Sequence, residues 1–424
     1  MSQPERARPE SALEESAPAP QPSPAPQPAP LTGLIVADFS RVLAGPYCTM
    51  LLADLGADVI KVESPAGDDT RGWMPPVTRD GTSTYYLSIN RNKRSITLDL
   101  ASPGDLALAK ELTRRADIVV ENFKPGGLAR FGLDYASVRA GNEQVIYASI
   151  SGFGSQGGAS LPGYDLLVQA MSGLMSLTGD PDGPPYRAGV AIFDIIAGLH
   201  TTIGILAALS HRAATGQGQY VEASLLASAM SGLVNQASAV VAGGVVPFRM
   251  GNAHPSLFPY EPLPTADGEL VVTAGNDAQF RKLCQALGVP ELAADEKFFT
   301  NAKRTANREQ LTPLLVEQLS KRTSAQWFAD LVAAGVPCGP INTVDQGVAF
   351  AAELGLEPVV LAGTGDEAVP VTRHPVSYSL TPPRYDRPPP KLGEHNEEIS
   401  RWLASPAGGG PAGGGPADSD RSGA

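Results

Sequence analysis

Cysteine is scarce in this chain: three residues in 424, Cys48, Cys284 and Cys338, far apart and without a C-x-x-C spacing. A disulfide framework and a thiolate zinc site are therefore not expected, and a reducing cytoplasm fits. The five histidines are scattered and form no H-E-x-x-H pair, so no metal site is expected. An excess of positive charge is also missing. The formal net charge is -12, which argues against a general nucleic-acid binder, whose binding domain is basic. No uninterrupted apolar run reaches membrane-spanning length. The first thirty residues lack the apolar core of a secretory signal and the pattern of an organellar transit peptide. A cytoplasmic protein with neither nucleic acid nor membrane as partner is expected.

What is present suits a globular chain. Hydrophobic residues make up 42% and charged ones 18%, enough for a sizeable core. Residues 1–30 are Pro/Ala-rich and 404–424 Gly/Pro-rich, and both read as disordered tails. Between them, short buried strands alternate with helices: "LIVADF", "GPYCTMLLADLG", "ADVIKVE", "SITLDL", "SPGDLALAKELTRRA", "DIVVENF", "VIYASIS". In the fifth of these Ser102 suits the cap and Pro103 the first helical position. The alternation predicts an α/β fold with a largely parallel sheet. The rhythm changes near Gly243, where Pro, Gly and aromatic residues crowd the chain. The expected division is a large domain begun by 31–230, a smaller α+β domain over 231–330, and a return segment, 331–403, completing the first.

Several motifs have ordinary explanations. The first strand–turn–helix unit, with "SRVLAGP" as its turn and Glu63 ending the next strand, resembles a dinucleotide site but lacks G-x-G-x-x-G. "GFGSQGG" has Phe153 where a nucleophile elbow needs glycine, so Ser155 reads as a loop residue. Cys48 reads as core. The run "NRNKRS", with Arg91, Lys93 and Arg94, is either a solvated face or a local phosphate site. Arg41, Lys124 and Arg130 add basic groups near βα loops, where α/β folds bind ligands.

One acid stands out. Asp194 interrupts "RAGVAIFDIIAGLHTTIGILAALSHR", an otherwise apolar or small stretch, and a buried lone carboxylate is costly. Two readings are open and compatible. Asp194 can cap the long helix that follows. It can also be a nucleophile kept ionised by the helix amides, which would in addition stabilise an oxyanion.

Taken together, "LTGLIVADFSRVLAGPYCTMLLADLGADVIKVESPAGDDTRGW", "YYLSINRNKRSITLDL", "ADIVVENFKPGGLARFGLDY", "ISGFGSQGG", "GYDLLVQAMSGLMSLTG", "AGVAIFDIIAGLHTTIGILAAL", "GVPCGPI" and "LGEH" resemble class III CoA-transferases, over essentially all of 31–403. The resemblance implies a Rossmann-like large domain with a parallel sheet, a smaller domain, and two interlocked subunits. It implies Asp194 as a covalent nucleophile, passing through aspartyl anhydride and aspartyl-CoA thioester intermediates. CoA enters as a thioester substrate, with no permanent cofactor, and a small carboxylic acid is the other partner. The matching CoA-binding positions are Arg41, Val42, Leu43 and Ala44; Leu98, Asp99, Leu100 and Ala101; Asn122, Phe123, Lys124 and Arg130; and Gly163 and Tyr164.

Departures from the family pattern are local. Ser64 stands where some members have an adenine-contacting Arg, and Leu43 where some have Gln. Tyr164 stands where the family's acyl-CoA racemases carry His, and a phenol with pKa near 10 is a poor proton shuttle at neutral pH. A racemase or isomerase is thus the lesser alternative, and a non-catalytic CoA-binding homologue a third. "STYYLSINRNKRSI" and "RAGVAIFD" resemble the subgroup that transfers CoA from succinyl-CoA to dicarboxylates such as glutarate or hydroxymethylglutarate, with Arg187 a candidate for the distal carboxylate.

Overall fold

The computed structural model describes residues 27–406, so nearly all of both expected tails lies outside the described residues. Six parallel strands form the main sheet: β1 Ile35–Asp38, β2 Asp58–Glu63, β3 Lys93–Thr97, β4 Ile118–Glu121, β5 Ile146–Ser151 and β6 Tyr220–Ser224. Their order is β3-β2-β1-β4-β5-β6, so the direction of winding reverses between β1 and β4. In open α/β sheets ligands bind at that reversal, outside the carboxyl ends of the strands.

The central strands β1, β4 and β5 are largely apolar on both faces because helices cover both. Ala37, Ile60, Ile96 and Val119 point into one core, and Val36, Val59, Ile118 and Ile146 into the other. Helix α1, Ala44–Asp54, follows the first turn, and α2, Pro103–Arg115, follows β3. Pro103 opens α2 as its spacing predicts, whereas Ser102 occupies the cap position without a side-chain bond. Further helices are α3, Asp165–Met171, α4, Ile192–Thr215, and α5, Leu225–Gly232. Truncating a fully buried strand residue such as Ile118 to Ala would cost about 2–5 kcal/mol.

Helix α4 revises one expectation. Its 24 residues are long and apolar enough, by length and composition, to cross a membrane. Here one face packs into the molecule through Phe193, Ala197, Gly198, Thr201, Thr202, Ile205 and Ala208, against α1, α5 and the sheet.

A second core lies beyond residue 257. Strands β7 Tyr260–Pro264, β8 Glu269–Thr273 and β9 Cys338–Pro340 pair antiparallel. Helices α6 Asp277–Ala286, α7 Arg308–Leu319 and α8 Ser324–Ala333 cover them with Phe280, Leu283, Leu311, Leu315, Trp327 and Leu331. Capping boxes begin α6 (Asn276 with Gln279) and α8 (Thr323 with Gln326). Strand β9 pairs with β8, so this unit runs past the boundary at 330 read from composition. The chain then goes through a small antiparallel pair, β10 Val359–Ala362 and β11 Val369–Thr372, back to the first core. Arg384 N–H bonds Asp54 O, and Asn92 N–H bonds Arg387 O. Helix α9, Asn396–Ala404, closes that core with Ile399 and Leu403.

Candidate active site

The basic cluster that runs into β3 is neither a solvated face nor an anion site. Arg91 is buried and pairs bidentately with Asp54 (Nε–Oδ1 2.9 Å, Nη2–Oδ2 2.6 Å). Lys93 is buried against Asp38 at 3.1 Å, and burial pulls its pKa down to about 8. Arg94 bonds Asp58 and Glu398. These bases are spent on internal acids because a buried charge must be paired. Glu63, the candidate ribose ligand, is likewise buried and bonded to Arg71 and Ser95, which removes the dinucleotide reading. Ser155 donates to Glu222 from both its N–H (2.8 Å) and its hydroxyl (2.9 Å), a loop contact.

A cavity of about 950 Å³ opens at the carboxyl ends of β1, β4 and β5, near the upper end of the range for ligand pockets. Its lining includes Arg41, Val42, Leu43 and Ala44 after β1, and Asn122, Phe123, Lys124 and Arg130 after β4. Gly163, Tyr164 and Asp194 complete the candidates it gathers. The two turns are tied together. Asn122 Oδ1 accepts from Arg41 N–H at 2.8 Å, and its amide donates to Arg41 O at 2.7 Å. The Arg41 guanidinium lies 5.4 Å from the centre of the Phe123 ring. Gly163 is required by a close approach: a Cβ there would sit 2.8 Å from Gly152 N.

Leu98, Asp99, Leu100 and Ala101 are not in the lining. Leu98 is buried in the core beneath α2, and Asp99 accepts the Ala101 N–H in the bend before that helix. Arg187 is exposed and also outside the lining. Residues absent from the candidate set but lining the cavity include Asp69, Trp73 and the glycines Gly126, Gly127, Gly152 and Gly154. The four glycines offer only main-chain atoms to the cavity, and these leave no side-chain signature in a sequence.

Asp194 is the third residue of α4, not its cap. The cap position, Ala191, offers no side chain acceptor, and the acceptor comes from elsewhere. Asp165 Oδ1 takes Phe193 N–H at 2.7 Å and Asp194 N–H at 3.2 Å. Gln169 bonds the other oxygen of Asp165 and also holds Ala188 N–H and Val190 O in the chain entering α4. Ile192 N–H goes to Val190 O and Ile195 N–H to Ala191 O. The first-turn amides are thus taken and do not serve Asp194. Among the described residues none donates to its carboxylate. Burial, then the neighbouring Asp165 charge, push its pKa up to about 7, against the expectation that the helix amides keep it low. Asp165 was visible as the acid of "GYD", but nothing in its sequence position signals that it caps a helix 27 residues later.

The other carboxylate of the lining, Asp69, is exposed and faces Arg41 at 3.5 Å. An unpaired carboxylate in a cavity that Arg41, Lys124 and Arg130 also line can attack an ester or thioester of a phosphorylated carrier. Among the described residues no group of three or more His, Cys, Asp or Glu could hold a metal ion. The sequence profile of CoA-transferase family III matches residues 31–396. The chain belongs to CoA-transferase family III. It is similar to the succinate–glutarate CoA-transferase of Agrobacterium fabrum, 45% identical over 378 residues, covering 87% of this chain and 94% of that one. It is 41% identical over 383 residues to the succinyl-CoA:glutarate CoA-transferase of Homo sapiens, covering 87% and 85%. A solved CAIB/BAIF family protein from Brucella suis superimposes with a TM-score of 0.80 at 45% identity, over 89% of this chain and all of that one. This family III chain is accordingly a CoA-transferase, built on the α/β fold described above.

Proposed function

We propose that this CoA-transferase moves CoA from succinyl-CoA to a dicarboxylic acid, glutarate foremost, with Asp194 as covalent nucleophile. The supporting observation is the unpartnered Asp194 carboxylate in a cavity whose lining also includes Arg41, Lys124 and Arg130. The donor and acceptor follow from the named relatives.

Ionised Asp194 attacks the thioester carbonyl carbon. The C–S bond breaks, CoA leaves as thiolate, and an aspartyl–succinyl anhydride remains. The thiolate returns to the aspartyl carbon, releasing succinate and forming an aspartyl-CoA thioester. The acceptor carboxylate attacks that carbon and frees the thiolate again. Attack of the thiolate on the acceptor's acyl carbon gives the new acyl-CoA and restores Asp194. Each intermediate keeps an activated acyl bond, so no step must supply the free energy of forming a thioester from an acid. Arg41, Lys124 and Arg130 pair the CoA phosphates, and burial of Asp194 strips water from the nucleophile.

A homodimer belongs to the same proposal. Leu199, Ile203 and Leu206 on α4, and Val241, Val246 and Phe248 beyond α5, expose apolar surface of the kind that subunit contacts cover. A reducing, cytoplasmic setting is supported by three free cysteines.

Incubation with succinyl-CoA and a panel of acids, followed by peptide mass spectrometry, tests the chemistry. A CoA adduct is expected on the Asp194 peptide and not in Asp194→Asn. Turnover with no adduct under any quench would remove the covalent route. Deuterium entering the α-carbon of a 2-methylacyl-CoA would instead establish a racemase. Light scattering reads the dimer directly.

A further inference from the structure

We propose that Asp68, braced by Lys61, is a positioning residue for the cavity turn Ser40–Ala44: it holds Val42 in a left-handed conformation and thereby sets where Leu43 and Ala44 face the ligand. The inference rests on reading that cavity as the CoA site. It concerns binding, not the chemistry at Asp194.

Val42 has φ 67°, a conformation in which a β-branched residue is a genuine outlier. Such strain persists only where the surroundings over-determine it. Both Asp68 oxygens receive the Val42 N–H, at 3.3 Å each. Asp68 is buried and fixed in turn by Lys61 Nζ at 2.8 Å, Thr70 N–H at 3.0 Å and Thr70 Oγ1 at 2.8 Å. The same Lys61 ammonium donates to Ser40 O at 3.0 Å. One cation therefore ties down the start of the turn and the acid that grips its third residue. On the other side Asp38 accepts Ser40 N–H at 3.0 Å and its hydroxyl, and is itself paired with Lys93. The turn is tight enough that a Cβ on Gly45 would lie 2.2 Å from Ser40 Cβ.

None of Asp38, Lys61, Asp68 and Lys93 lines the cavity, whereas Arg41, Val42, Leu43 and Ala44 all do. Four buried charges under a short turn are an expensive arrangement where apolar packing would serve for stability alone. The geometry they enforce is the strained one, and that geometry faces the ligand. Burial opposes ionisation of Asp68, but Lys61 and the Thr70 bonds outweigh it and keep the carboxyl below its ordinary range.

The test is CoA affinity by calorimetry, with the KM for acyl-CoA and kcat, on the full chain. Asp68→Asn is expected to weaken CoA binding and raise KM about tenfold, the scale of one strained residue released, while kcat at saturation changes far less. If Asp68→Asn melts below assay temperature, Thr70→Val removes only one hydroxyl that orients Asp68, and should raise KM about threefold with kcat retained. Unchanged KM in the folded variants, or an equal fall in kcat, overturns the inference. A wild type that binds CoA without transferring it overturns the transferase reading alone; a wild type that binds no CoA overturns both.

Discussion

Asp165 Oδ1 accepts the main-chain N–H of Asp194 at 3.2 Å and of Phe193 at 2.7 Å, so one carboxylate caps the helix that carries the other. The arrangement fixes the Asp194 backbone and places a like charge beside its side chain. Burial and that charge together lift the Asp194 pKa to about 7. Attack requires the ionised form, so kcat/KM should rise with pH through about 7. Asparagine at 165 keeps an oxygen for the cap but removes the charge. Asp165→Asn should therefore move the acidic limb to lower pH, while burial, the larger cause, keeps it above the ordinary carboxylate range. A limb that stays in place would show that Asp165 acts through geometry alone. Tyr47 of α1 packs on Gly198 of α4 and Tyr85 feels the Asp194 charge; burial raises both phenols, so neither charges in this window.

The same shift makes Asp194 a stability cost. Its folded pKa lies above the unfolded one, so between about pH 4 and 7 the folded state holds a proton the unfolded state has lost. Stability must then fall as pH rises through that window. Asp194→Asn removes the titration. Its stability relative to wild type should be higher at pH 8 than at pH 4 by about 1–4 kcal/mol, read from denaturant midpoints at both pH values, with transfer activity abolished. A difference that does not change with pH would mean that the Asp194 pKa is the same in the folded and unfolded states.

Basic residues divide into two sets with opposite phenotypes. Arg91 is buried on Asp54, and Arg91→Met leaves that carboxylate, among the described residues, with Asn92 and His374 as side-chain partners. The expected cost is about 3–5 kcal/mol of stability, with CoA affinity of the folded fraction unaltered. Lys124 and Arg130 are exposed in the cavity lining. Lys124→Ala or Arg130→Ala should leave the melting temperature within a degree or two and weaken CoA about 10-fold to 100-fold, the worth of a charged hydrogen bond. Salt should erode that difference. Thermal melts and calorimetry on the three variants separate the sets.

This contrast marks how far the residues alone could be read. The parallel sheet was legible because strands covered on both faces are continuously apolar and the turns between them carry clear stop signals. Arg41, Lys124 and Arg130 were reachable through their place in loops after strands, since the winding reversal brings those ends together, whereas Val42, Leu43, Ala44, Asn122, Phe123, Gly163 and Tyr164 were matched by resemblance alone. "NRNKRS" could not be resolved by composition, because its acids Asp54, Asp38 and Asp58 are 36 to 55 residues away, and Glu398 farther still, and meet it only in the folded chain. The Leu98–Ala101 positions matched by resemblance, yet here they support α2 and do not line the cavity. Asp194 was found, but its environment was misjudged. An acid at a helix start implies free amides only when no second acid competes for them, and Asp165 does.

Gly163 offers a last test of how the site is held. A Cβ there would meet main-chain atoms of Gly152, at 2.8 Å from N and 2.9 Å from Cα. Neither can yield as a flexible side chain would, so Gly163→Ala must push the loop before α3 away from the end of β5. That loop carries Tyr164 and leads into Asp165, the cap of α4. The displacement should cost about 1–3 kcal/mol in stability and lower kcat through loss of the Asp165–Asp194 alignment, beyond any change in CoA affinity. Gly157 has open space around it, so Gly157→Ala is the control and should match wild type in melting and in kcat. If Gly163→Ala loses affinity for CoA but keeps kcat, the loop serves the ligand directly and the route through Asp165 is wrong.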